Sequence, residues 1–254
     1  MRLDPSVFDL ALWAWSGLAL AAFATLLFVS APYGRHLRAG WGPPIPARFA
    51  WLSMEAPAPL LVGLALALGP RPFDGYSALL GALFLAHYAN RTFVFPLRLP
   101  AAARPMPLSI VASAFGFNLI NGSFLGLWLG ALAPPAAPWW PIDPRIAIGV
   151  GLFLLGAAVN LRSDAVLRDL RSGGAGSYRV PRGGLFDLVS CPNYLGEIVE
   201  WTGFALVMWA LPGTAFLVWT VANLVPRALQ HHRWYRATFP DYPRTRRALV
   251  PFLF

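Results

Sequence analysis

The chain has 254 residues, 57% of them apolar and only 12% charged, against roughly 25% charged in an ordinary soluble domain. That balance excludes a water-soluble globule and, with so much to bury, a disordered chain; the lone Cys191 excludes a disulfide framework or a cysteine zinc site. Net charge is +9, carried by arginine with no lysine at all. This suits loops beside an anionic leaflet better than nucleic acid.

The reading that remains is an all-α polytopic membrane protein, one integral-membrane domain over 1–254. A spanning helix needs roughly 20 apolar residues. In chain order, the first candidate is 10–30, too long for a cleaved signal peptide and preceded by no basic residue except Arg2. The second, 49–69, is apolar except for Glu55, and the third, 76–96, carries His87, Tyr88 and Arg91. No charge interrupts 105–142, which predicts a helix over 107–132 and a Pro-rich turn. A fifth helix over 146–171 turns polar toward its end. The Gly-rich stretch 171–187 follows, as a cytoplasmic loop and cofactor lid. The last apolar block divides at Leu211-Pro212-Gly213 into helices over 190–211 and 213–235.

Seven spans put the termini on opposite sides. The loops after helices one, three and five and the C-terminal tail then share 17 of the 20 arginines. By the positive-inside rule the N-terminus lies outside and the C-terminus in the cytoplasm.

Polar groups within spans are costly and mark function. Glu55 lies in Trp51-Leu-Ser-Met-Glu55-Ala-Pro57, where Pro57 frees a nearby backbone carbonyl and predicts local irregularity. An interfacial Glu that snorkels is the plainer account, but Glu has a short stem for it. In a dry pocket it stays a proton donor, and beside a phenol such as Tyr88 it would polarise a carbonyl. Tyr88 alone reads as an interface-belt aromatic; Arg91 lies three positions on, on the same face.

Three ladders at helical spacing carry the remaining signal: Asn160, Asp164, Arg168 and Arg171; Asn193, Glu197 and Glu200; Arg227, His231 and Tyr235. One ladder would be a solvated helix end. Three together supply acceptors for ribose or a carboxamide and guanidinium forks for phosphate, an inventory suited to a phosphorylated nucleotide. Gly173-Gly-Ala-Gly176 lacks the G-x-G-x-x-G spacing. No metal is expected, because His36 and His87 have no ligand spacing toward His231-His232, and H-E-x-x-H and G-x-S-x-G are both absent.

The chain resembles the steroid 5-alpha-reductase family, membrane enzymes that reduce an enone with NADPH. The resemblance rests on Ser30-Ala-Pro-Tyr33-Gly-Arg-His36, Glu55 with Pro57, His87-Tyr88 with Arg91-Thr92-Phe93-Val94, Asn160 with Ser163-Asp164, and Ser177-Tyr178-Arg179. It continues in Gly183-Gly-Leu-Phe186, Asn193-Tyr-Leu-Gly-Glu197-Ile-Val-Glu200-Trp201, and the tail from Asp241-Tyr-Pro243 to Pro251-Phe. It implies that Glu55 and Tyr88 hold the C3 carbonyl oxygen of a Δ4-3-ketosteroid, with Trp51 also against the substrate. It implies that NADPH is held by Tyr33, Arg91, Arg104, Asn160, Asp164, Arg168, Arg171, Tyr178, Arg179, Asn193, Glu197, Arg227, His231 and Tyr235. Asn193 and Glu197 would meet the nicotinamide end. Met54 stands where the family usually has Gln. The steroid would come from the bilayer, with membrane lipids as surroundings, no nucleic acid and no obligate protein partner. Composition suggests a bacterial inner membrane, or the endoplasmic reticulum membrane in a eukaryote. The alternatives are an S-adenosylmethionine-dependent membrane methyltransferase, a reductase of enoyl-CoA or polyprenol, and a non-catalytic sterol-binding protein.

Overall fold

A computed structural model describes residues 4–100, 103–170 and 178–253. Arg171 and the Gly173–Gly176 run, the centre of the expected lid, lie outside them. The regular structure of the described residues is helical, apart from an isolated Val189–Arg247 bridge and two residue pairs in antiparallel register. These are β1 (Pro44–Ile45) and β2 (Met106–Pro107), which pair Pro44 with Pro107 and Ile45 with Met106. They tie the loop before α2 to the loop before α6.

Helix α1 (Pro5–Phe28) starts on Asp4, whose carboxylate accepts from the Ser6 N–H, with Pro5 where no donor is needed. Helices α2 (Ala47–Glu55) and α3 (Pro57–Leu68) form one rod interrupted at Ala56. Pro57 and Pro59 withdraw the N–H groups that would have met the Ser53 and Glu55 carbonyls. Helix α4 (Gly75–Ala89) opens on an Asp74–Ser77 capping box. It passes through a π-helical turn at Asn90–Val94 into the short α5 (Phe95–Leu97). Helix α6 is Leu108–Leu127, and α7 (Pro144–Asp169) is capped by Asp143. Helices α8 (Pro192–Met208) and α9 (Leu211–Thr238) complete the bundle.

The break between the last two helices falls at Trp209 and Ala210, two residues before the expected Leu211-Pro212-Gly213. Trp209 takes a left-handed backbone (φ 44°) as the cap of α8, and Pro212 sits in the first turn of α9, where its missing N–H costs nothing. Among the described residues, four helical stretches are long and apolar enough to cross a membrane: Pro5–Phe28, Ala47–Leu68, Leu108–Leu132 and Pro144–Asp169. Their outward faces carry exposed Leu10, Leu20, Leu64 and Leu155, as apolar surroundings permit.

Close packing depends on small residues. Gly149 and Gly156 on α7 meet Gly203 and Gly196 on α8, both pairs seven apart and therefore on one stripe. A Cβ on Gly156 would strike the Glu200 backbone nitrogen, and one on Gly196 would lie 2.6 Å from the Asn160 nitrogen. The two helices run antiparallel. On α6, Gly122 and Gly126 follow Asn118 at intervals of four and face Ala58 and Ala65 of α3, so that pair runs parallel. Helix α1 also runs parallel to α9: Leu12 packs with Ala215, Ala19 with Trp219 and Ala222, and the Leu26 carbonyl accepts from Gln230. The largest core cluster gathers Phe84, Tyr88, Trp201, Phe204 and Phe216 at the centre of the bundle.

Candidate active site

The parallel α3–α6 contact sets the first part of the site. With Gly122 over Ala58, the residue one turn earlier on α6 falls beside the residue one turn earlier on the α2–α3 rod. Asn118 therefore reaches Met54 and Glu55. Its Nδ2 donates to the Met54 carbonyl at 2.8 Å and to Glu55 Oε2 at 3.2 Å, while its Oδ1 accepts from the Tyr88 hydroxyl at 2.9 Å. Glu55 and Tyr88 come from different helices and share one buried amide. Asn118 is 4% exposed and Tyr88 3%. Sequence reading missed Asn118, an uncharged residue in a charge-free stretch; only its helical spacing to Gly122 and Gly126 could have pointed to it.

Arg91 links this cluster to a larger space. The π-helical turn carries its guanidinium over the Trp51 ring at 4.5 Å, with Nε 3.8 Å from Glu55 Oε1 and Nη1 3.7 Å from Asp164 Oδ2. Asp164 in turn accepts from Asn193 Nδ2 at 3.2 Å. Asn160 donates to the Asn193 carbonyl at 3.0 Å and to Glu197 Oε2 at 3.5 Å. One polar chain thus joins Tyr88, Asn118, Glu55, Arg91, Asp164, Asn193, Asn160 and Glu197 across α2, α4, α6, α7 and α8.

Beyond Arg91 lies a cleft of 240 Å³. Tyr33, Arg104, Tyr178, Arg227, His231 and Tyr235 line it, as do Asp164, Arg168 and Asn193; Trp51 and Arg91 form its inner wall. Asn160 and Glu197 stand behind that lining. Arg179 is exposed and is not part of it. Glu200, the last rung of its ladder, turns away: its Oε1 meets His87 Nδ1 at 2.8 Å behind Tyr88, with Glu200 buried and His87 part-buried.

The lining adds residues that sequence reading did not single out. Arg35 stacks between Trp234 (4.6 Å) and Tyr235 (4.5 Å), faces Tyr178 at 5.2 Å and donates to the Tyr235 hydroxyl at 3.2 Å. His36 Nε2 meets His231 Nδ1 at 3.1 Å, and Tyr194 meets the other His231 nitrogen at 3.2 Å. Burial, and then the charges of Arg35, Arg227 and Arg38, hold the His36 imidazole below its ordinary range. Arg227 lies over the Tyr33 ring at 4.9 Å. Among the described residues no group of three or more His, Cys, Asp or Glu side chains could hold a metal ion.

A helical, outwardly apolar bundle with an acid, an amide and a phenol in its core, open on one side to an arginine-rich cleft, is the frame of a membrane-associated enzyme. Residues 104–254 match the family model described as 3-oxo-5-alpha-steroid 4-dehydrogenase. Among curated relatives, the chain is 41% identical to Steroid 5-alpha-reductase DET2 of Gossypium hirsutum, with all of both chains covered. It is 42% identical to 3-oxo-5-alpha-steroid 4-dehydrogenase 1 of Bos taurus, covering 93% of each, and 40% identical to the Homo sapiens protein of that name, covering 92% and 90%. The chain belongs to the 3-oxo-5-alpha-steroid 4-dehydrogenase family and is an oxidoreductase. These relatives are plant and mammalian, and the bacterial inner membrane suggested by composition draws no support from them.

Proposed function

We propose that the protein is a membrane-spanning reductase that uses NADPH to convert a Δ4-3-ketosteroid to the 5-alpha-3-ketosteroid. The single observation that carries this reading is that Glu55 and Tyr88, from separate helices, are joined through one buried amide, and that one arginine separates them from a cleft of guanidinium groups and rings. An alkene conjugated to a ketone becomes an enolate on reduction, so negative charge collects on the ketone oxygen. Donors aimed at that oxygen stabilise the transition state more than the ground state. Glu55 and Tyr88 are those donors, and Trp51 closes the pocket beside them.

The cleft fits the cofactor. Its donor set is guanidinium, phenol, imidazole and amide, and Arg35 Nη1 is buried there with no hydrogen-bond partner among the described residues. Bound NADPH supplies the hydride that C5 accepts. Tyr33, Arg35, Arg104, Arg168, Arg227 and Tyr235 would hold phosphate and ribose, with Tyr178 and His231 around them. Asn193 and Glu197, fixed by Asn160 and by the Asp164–Arg91 link, would orient the carboxamide end.

Seven spans, with the N-terminus outside and the cleft facing the cytoplasm, belong to the same proposal. The parallel α1–α9 and α3–α6 pairs and the antiparallel α7–α8 pair are what an alternating chain of seven spans produces. The arginine bias gives the orientation. The steroid then enters from lipid and the charged cofactor from water.

The test is NADPH oxidation by detergent-purified protein with testosterone or progesterone, the product identified by mass. A product two mass units heavier, formed only with both reactants, is expected. Consumption of NADPH with an enoyl-CoA alone, or methyl transfer from S-adenosylmethionine, would replace this reading.

A further inference from the structure

Asn118 is not a bystander in the core. Its orientation is fixed by chemistry, because the Met54 carbonyl can only accept and therefore faces the amide NH2. The amide oxygen is then the end turned to Tyr88, and since that oxygen can only accept, the Tyr88 hydroxyl must donate to it. The second amide hydrogen goes to Glu55 Oε2, leaving Oε1 as the oxygen turned toward Arg91, 3.8 Å from its Nε, on the side of the cleft. One buried side chain thus decides the direction of the Tyr88 proton and the choice of Glu55 oxygen. The Tyr88 proton is committed to Asn118 until a better acceptor arrives.

We propose that Asn118 is a positioning residue for ketone reduction: it holds the acid and the phenol in one geometry and presents the Tyr88 proton only when a ketone oxygen displaces the amide. This rests on the proposed reading of Glu55 and Tyr88. The place of Asn118 on α6 suits the task. It sits one turn before the Gly122 and Gly126 contact with α3, so the close packing of the two helices adds to the helical hydrogen bonds that fix its backbone. A group held this way keeps its partners aligned without touching the reacting atoms. The role also accounts for Met54 at the position before the acid, because the backbone carbonyl of Met54, not its side chain, meets the amide; the side chain packs with Ala50, Met106 and Val111.

The experiment is a double-mutant cycle between Asn118→Leu and Tyr88→Phe, read as kcat and steroid KM on the full-length purified protein, with NADPH affinity as a check on folding. Asn118→Leu is expected to lower kcat by roughly 10- to 100-fold, the range typical of losing an outer hydrogen-bonding partner, with KM rising no more than about threefold. In the Tyr88→Phe background the same substitution should cost less, because one of the two groups it positions is already gone. An equal or larger loss in that background overturns the proposal, as does a rise in KM with kcat unchanged. If Asn118→Leu fails to fold, Asn118→Asp keeps the size and removes the NH2, and the same cycle is read with it. Should Tyr88→Phe alone leave kcat intact, the assignment of Tyr88 falls, and Asn118 falls with it. A clear loss in Tyr88→Phe without coupling rejects only the role of Asn118.

Discussion

Glu55, Asn118 and Tyr88 come one each from three parts of the bundle, and each makes its own contact in a single hydrogen-bonded cluster. The cleft on the other side of Arg91 is built differently: Arg35 faces three rings, Arg104 lies over Tyr178, and Arg227 lies over Tyr33. In the dry cluster the protein relies on the placement of single groups. In the cleft it relies on several groups of like kind. The difference teaches that a substitution in the cluster should change the rate, whereas one in the cleft should change affinity.

The largest expected effect lies in the cluster. Glu55→Gln keeps the shape and removes the acid, and turnover should fall roughly 10²–10³-fold, the cost of one oxyanion-type donor, with steroid KM nearly constant. Steady-state kinetics checks this, and a rate near that of the unaltered protein would remove Glu55 from the chemistry. Next comes the frame shared by both regions. Gly196→Ala puts a methyl 2.6 Å from the Asn160 backbone nitrogen, which cannot swing aside. Overpacking of this kind costs about 1–3 kcal/mol, visible as earlier thermal unfolding in detergent.

The cleft should answer more gently. Arg35→Ala removes a stacked guanidinium but leaves Arg104, Arg168 and Arg227, so KM for NADPH should rise ~10-fold, near 1.4 kcal/mol, with kcat within about twofold. A collapse of kcat instead would erase the distinction between the two regions. The smallest effect concerns His36. Its folded-state pKa lies below the ordinary 6.5, so as pH drops below about 6.5 the unfolded chain gains a proton that the folded one resists. The native protein should therefore lose stability on acidification relative to His36→Gln. The relative loss levels off once the folded imidazole itself titrates. The ring is part-buried and a single group is involved, so the difference in Tm between pH 7.5 and 5.5 should be only ~1–2 °C.

Hydrophobic runs and arginine placement made the helical class legible from the sequence, because both follow from the cost of burying charge in lipid. The Glu55–Tyr88 partnership could be suggested because an acid and a charged neighbourhood stand out inside apolar runs. Asn118 could not, since its contacts arise from the parallel approach of α6 to α3, which depends on glycines far from Glu55 and Tyr88 in sequence. Arg35 and His36 escaped for a related reason: their stretch carried the resemblance, with Tyr33 given a role, but their own contacts with Trp234, Tyr235 and His231 exist only once the chain has folded. Glu200 shows the opposite failure. Helical spacing placed it with Asn193 and Glu197, but spacing does not say which neighbouring helix a face meets, and this carboxylate meets His87.

The glycine stripe between α7 and α8 has a mechanical consequence. Where two backbones touch with no side chains between them, there is no rotamer to flip and no soft atom to yield, so the pair behaves as a single stiff beam. Asn160 and Asn193 stand at the end of that beam, and any force that tilts one helix moves the other with it. Any change in what this end binds would have to proceed by exchanging side chains, because the scaffold beneath them has no room to shift.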